Sequence, residues 1–274
     1  MLGKIHFIAG LPRAGSTLLS SLLRQNPRFT AGMTSPVGHL FNAALRETSM
    51  RNEDAAFIDN DFRERLLKGI FSVYYADATD ETVTFDTNRI WPTKLSALTH
   101  LFPEARMICC VRNPAWVVDS IETLIRRNAF ELSGIFNFEP GGTVYSRTDG
   151  LTGPNGMVGF AINAVREALY TQYTDRILLL QYETLVRDPM GALAGIYDFL
   201  GEDMPDTHDP NNVAPCDDME EFDRRLGTPG LHAVGRRVAE RKRETILPPD
   251  LFERYQAGAF WRDPSFRRPG LRII

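Results

Sequence analysis

Four short runs of continuous apolar or β-branched residues punctuate the chain, at 5–9 (IHFIA), 82–85 (TVTF), 107–111 (MICCV) and 177–180 (ILLL). None alternates with polar positions, so each predicts a strand buried on both faces. Between these runs apolar residues recur at helical spacing, predicting helices over 16–25, 37–46, 62–77, 93–102, 116–128, 159–173 and 189–200. Strand and helix alternating in this way imply an α/β domain, with a central parallel sheet flanked by helices on both faces. No linker cuts off a second unit, so residues 1–274 read as one domain.

Two segments break the rhythm. Residues 131–156 carry Gly134, Pro140, Gly141, Gly142, Gly150, Gly153, Pro154 and Gly156, with Phe136, Phe138 and Tyr145 interleaved. A loop that long inside a compact domain is a lid, a binding loop or disorder. From residue 201 the chain is loop-rich, with an acidic patch at 217–221, the segment LGTPGLHAVGRRV at 226–238 and a helical pattern over 250–256.

Composition narrows the picture. In a chain of 274 residues, 43% hydrophobic content supplies a sizeable core, and a net charge of −4 argues against bulk attraction to nucleic acid or anionic lipid. Any anion site must therefore be local. Three cysteines, two of them adjacent at Cys109 and Cys110, give neither a disulfide framework nor metal-ligand spacing, which reads as a reducing compartment. The apolar run before Pro12 is too short for a signal-peptide core, and no later segment approaches a membrane span. The expectation is a cytoplasmic protein with no nucleic-acid partner and no membrane span, leaving a homo-oligomer open.

Residues 10–17, GLPRAGST, follow the first predicted strand and open the first predicted helix. Backbone N–H groups and the positive end of the helix dipole converge there, which favours an anion. Gly10 and Gly15 permit positive φ and close backbone approach, and the Ser16 and Thr17 hydroxyls are donors in the first turn. The run departs from the triphosphatase loop G-x-x-x-x-G-K-[ST], because Ser16 stands in the lysine position and the cation has moved to Arg13. A guanidinium inside the loop suits a multidentate grip on a phosphosulfate or terminal phosphate. Asp86, after a predicted strand, is the aspartate placed to hold magnesium and keeps a P-loop kinase as an alternative. A non-catalytic nucleotide-binding module is another.

In residues 107–120, MICCVRNPAWVVDS, a strand ends at Arg112, Pro114 presets the first helical turn, and Ser120 lies near the second turn on the same side. Arg112 and Ser120 can thus converge on one phosphate.

Together these residues resemble the sulfotransferases that use 3′-phosphoadenosine 5′-phosphosulfate (PAPS), the bacterial members more than the animal cytosolic ones. LPRAGST is similar to their 5′-phosphosulfate loop and VRNPAWVVDS to their 3′-phosphate element. YETLVRDP, beginning at Tyr182, is similar to a later strand-to-helix signature, and residues 226–238 resemble a segment that covers the nucleotide. The resemblance implies a P-loop-like nucleotide-binding core, PAPS as sulfuryl donor, and in-line transfer to a hydroxyl or amine of a small-molecule acceptor without metal. Carried over, it puts Arg13, Ala14, Gly15, Ser16 and Thr17 on the 5′-phosphosulfate and Arg112 and Ser120 on the 3′-phosphate. Tyr182 joins the nucleotide site, and Arg236 or Arg237 completes the 3′-phosphate pocket.

Such a transfer asks for a cation on the bridging oxygen, the role expected of Arg13, and a base on the acceptor. Where cytosolic relatives have a Lys-Thr-His type of segment, this chain has Asp86, Thr87, Asn88 and Arg89. Where other relatives place a glutamate, it offers Thr34, Ser35 and His39. Asp86 and His39 are the candidate bases, with Asp86 preferred for its place at the carboxyl edge of a buried strand. His100 and His232 are given no such role. Trp91, Phe136, Phe138 and Tyr145 are the aromatic candidates for an acceptor wall.

Overall fold

A computed structural model describes residues 3–50, 52–137, 142–240 and 244–274. Each of the four apolar runs becomes a strand, namely β1 (Lys4–Gly10), β3 (Val83–Thr87), β4 (Met107–Val111) and β5 (Ile177–Gln181). Two short strands, β2 (Phe29–Ala31) and β6 (Arg272–Ile273), close the edges. At three and two residues they leave no readable pattern in the sequence. The order is β2-β3-β1-β4-β5-β6, and every neighbouring pair runs parallel.

Helices pack around the sheet as α1 (Ser16–Leu23), α2 (Val37–Glu47), α3 (Asn60–Tyr74), α4 (Leu95–Leu101), α5 (Pro114–Arg127), α6 (Val144–Thr152), α7 (Met157–Ala168), α8 (Tyr182–Arg187), α9 (Pro189–Leu200), α10 (Glu220–Arg225) and α11 (Pro249–Gln256). The helix expected over 93–102 is split, because Trp91–Lys94 winds as a 3₁₀ turn around Pro92 before α4 begins. The long loop at 131–156 contains α6, whose N-terminus Thr143 caps by accepting from Ser146 N–H at 3.3 Å. In the acidic patch α10 forms with Glu220, Glu221 and Asp223 in its first turn, where the dipole favours them.

Burial follows the apolar pattern. Trp91, Phe7, Phe41 and Phe71 are fully buried in one aromatic cluster, with the Phe7 and Trp91 rings 5.3 Å apart. Because all strands are parallel, their carboxyl ends share one edge, and the chain leaving β1, β3, β4 and β5 delivers residues 11–15, residues 88–89, Arg112 and Tyr182 to it. Among the described residues no helix is long and apolar enough to cross a membrane.

Candidate functional site

The turn after β1 is dictated by its neighbours. Gly10 pairs with Cys110 and has φ of 116°, and a Cβ there would lie 2.1 Å from the Cys110 carbonyl oxygen. Only glycine fits. Leu11 N–H donates to that carbonyl at 2.9 Å, and the chain then passes through Arg13 at φ of 58° to Gly15 at φ of 95°. Two left-handed residues within three positions curl the loop over the start of α1. Gly15 is the N-cap and no side chain caps that end, so the first-turn N–H groups face whatever the loop encloses. Ala14 is buried beneath the loop and offers only backbone.

Distant motifs lock onto this cradle. Arg13 Nε donates to Ser120 Oγ of α5 at 3.1 Å, and Arg112 Nη1 donates to the Arg13 carbonyl at 3.1 Å. The Arg112 guanidinium lies 4.2 Å over the Tyr182 ring, and a Cβ on Gly15 would touch Tyr182 Cδ2 at 3.0 Å. Arg13, Gly15, Arg112, Ser120 and Tyr182, spread over 170 positions of sequence, are thus one contiguous cluster.

That cluster divides two cavities. The larger, of about 630 Å³, is lined by Gly15, Ser16, Thr17, His39, Arg89, His232 and Arg237, with an apolar side of Met33, Ile135, Met157, Phe160 and Leu231. The smaller, of about 460 Å³, is lined by Trp116, Ser120, Thr123 and Arg127, with Glu183 and Glu240 also on its wall. Arg13, Arg112, Tyr182 and Val186 belong to both walls. Among the described residues, the larger wall carries four arginines, Arg13, Arg89, Arg112 and Arg237, and no aspartate or glutamate. In a chain of net charge −4 that is a local surplus of positive potential.

Several expected site residues stand elsewhere. Asp86, the preferred base, is fully buried and absent from the cavity wall. Its carboxylate accepts from Ser35 Oγ at 2.6 Å, Tyr75 OH at 2.7 Å and Trp91 Nε1 at 2.8 Å. Burial pushes its pKa up, against the three donors that lower it. This corrects the expectation: β3 alternates its faces, and Asp86, in register with Phe7, points into the aromatic core and not off the strand end. Arg236 donates through Nε to Asn212 at 3.2 Å and lines neither cavity, while Arg237 lines the larger cavity and not the pocket that holds Ser120. Trp91 is core, Phe136 packs partly buried against the core, and Tyr145 is exposed and donates to Asp250. Phe138 lies outside the described residues. The apolar side of the larger cavity comes instead from Met33, Ile135, Leu231 and, on α7, Met157 and Phe160.

One pair was not anticipated. His232 lines the larger cavity, and its Nδ1 meets Asp223 Oδ1 of α10 at 2.5 Å, while its backbone N–H donates to Asp223 Oδ2 at 2.9 Å. Asp223 is buried. The two lie nine positions apart in a loop-rich tail, and no spacing rule marks them.

The profile of the Sulfotransferase family matches residues 6–206. Nodulation protein NoeE of Sinorhizobium fredii (strain NBRC 101917 / NGR234) is 30% identical over 131 residues, which is 43% of this chain and 31% of that protein, so the match spans under a third of that curated relative's length. Among solved structures, retinol dehydratase in a complex with retinol and PAP is 16% identical, with a TM-score of 0.53 over 98% of this chain and 84% of that one. The sulfotransferase domain from the curacin biosynthetic pathway is 19% identical, with a TM-score of 0.50 over 76% of each chain. At these identities the likeness to the solved structures is one of fold.

Proposed function

This chain belongs to the sulfotransferase family, and from that premise we propose that it moves the sulfuryl group of PAPS to a hydroxyl of a small molecule with an apolar body. The observation that carries the reading is the composition of the larger wall, four arginines and no described carboxylate around a glycine cradle at a helix N-terminus. The donor set fits a phosphosulfate, which presents oxygen acceptors to N–H, hydroxyl and guanidinium donors. The bound nucleotide would supply the sulfuryl group. In this reading Arg13, Ser16, Thr17 and the backbone at Ala14 and Gly15 hold the 5′ end. Arg112 and Ser120 hold the 3′-phosphate in the smaller cavity, with Tyr182 bracing Arg112 from below. Arg13 stands where both cavities meet, so its charge is available to the oxygen on which negative charge grows as the acceptor bond forms. Arg237 adds a cation to the larger cavity. The side formed by Met33, Ile135, Met157 and Phe160 supports an apolar acceptor body.

Isothermal titration with 3′-phosphoadenosine 5′-phosphate (PAP) tests this. Binding at tens of micromolar or tighter is expected, and Arg112→Ala weakens it by about 10- to 100-fold, the range for a lost charge-assisted hydrogen bond. A folded wild type that does not bind removes the proposal. Equal affinity in Arg112→Ala removes the 3′-phosphate assignment alone.

A further inference from the structure

The larger cavity holds a His–carboxylate pair that nucleotide binding leaves unused. We infer that His232 is the general base that takes the proton of the acceptor hydroxyl and that Asp223 positions its ring, an assignment that rests on the sulfuryl-transfer reading above. A carboxylate only accepts hydrogen bonds, so the Nδ1 contact at 2.5 Å makes Nδ1 the protonated nitrogen and leaves the lone pair on Nε2. The second bond, from the His232 backbone N–H to the other carboxylate oxygen, fixes main chain and ring to the same buried anchor. Nε2 lies across the ring from that anchor and has no hydrogen-bond partner among the described residues, while His232 itself lines the cavity. The rivals lack this arrangement. Asp86 is enclosed by three core donors, and His39, though it lines the cavity, has no carboxylate partner among the described residues.

The groups facing His232 are Asp223 of α10, Arg13 of the cradle and Arg89 after β3. Burial lowers its pKa most, Asp223 raises it, and the two guanidinium charges lower it further. The net direction is downward, so the imidazole is unprotonated and able to accept at neutral pH. The step balances as a single displacement. The acceptor oxygen forms the new S–O bond while its proton passes to Nε2, and the bridging S–O bond breaks. Its electron pair leaves on the 5′-phosphate of the nucleotide.

The test measures PAP release from PAPS by wild type, H232Q, D223N and H39Q, with water, a primary aliphatic alcohol and p-nitrophenol as acceptors. PAP affinity is titrated in parallel. For H232Q, release to water and the alcohol is expected to fall by about 10²- to 10⁴-fold, the usual worth of a general base. Its PAP affinity stays within about twofold, and p-nitrophenol, already ionised near neutral pH, loses far less. D223N is expected to lower kcat more than KM and to move the acid limb of the pH profile downward, because the charge that raised the His232 pKa is gone. Since Asp223 is buried, H232Q at its partly exposed position carries the decision, with thermal unfolding as the check on its fold. Unchanged release in H232Q overturns the assignment, as does an equal loss with all three acceptors or a loss confined to H39Q. A wild type that binds PAP but releases none from PAPS also overturns it. Failure of the wild type to bind PAP overturns the sulfuryl-transfer reading instead.

Discussion

Three donors meet on the carboxylate of Asp86, from Ser35, Tyr75 and Trp91, and they tie the loop before α2, the end of α3 and the 3₁₀ turn before α4 to β3. Removing that carboxylate strands three polar groups in the core, each worth about 1–3 kcal/mol when unpaired. Asp86→Ala is therefore expected to lose roughly 3 kcal/mol or more in urea unfolding, and Asp86→Asn less, since its amide oxygen still accepts. A stable Asp86→Ala protein without activity would return this residue to the chemistry. The sequence shows an aspartate at a strand end but not which way it points, and a one-residue difference in pleat decides between cavity and core. The loop that carries Arg13 reads well by contrast, because glycines on both sides of it set the turn locally, whereas its contact with Ser120 joins residues 107 positions apart.

At the scale of elements, β1, the cradle and α1 form a unit whose shape is set by glycines in different circumstances. Gly10 has both positive φ and a carbonyl oxygen 2.1 Å from where a Cβ would stand, whereas Gly201, the C-cap of α9, has φ of 70° and nothing within 4 Å. Gly201→Ala is expected to cost about 1 kcal/mol, the strain of a left-handed alanine alone. Gly10→Ala must also push β1 from β4 and is expected to cost about 3 kcal/mol or more, or to leave the protein insoluble. Urea midpoints of the two variants check the ranking, and equal shifts would contradict the close approach. Long elements were legible because their periodicity is local. The split before α4 and the edge strands were not, because Pro92 chemistry and pairing with β3 and β5 override or replace pattern.

For the molecule as a whole, acid stability turns on β1, the centre of the sheet. His6 is buried there, accepting at Nδ1 from the Arg106 N–H, while its Nε2 has no partner among the described residues. Burial, with Arg106 and Lys4 adding to it against Glu202, pushes its pKa down from 6.5 to about 4. The unfolded chain binds a proton below pH 6.5 that the folded chain refuses until about pH 4, so stability falls as pH drops through that window. Between pH 6.5 and 5 the loss from His6 is about 1.5 kcal/mol, and His208, lowered by its own burial, adds in the same sense. Denaturant unfolding across this range checks it, and a flat profile would refute the buried neutral imidazole.

The sequence by itself determined the parallel α/β class and the glycine-bearing turn between the first strand and the first helix, because strand burial and glycine geometry act over a few neighbouring positions. Only the tertiary structure decided that Asp86 faces the core, that Arg236 turns to Asn212, that α7 adds to the apolar wall, and that His232 stands on Asp223 beside two arginines. Those outcomes depend on which elements lie against one another, and side chains brought together by packing leave no spacing in the chain to read.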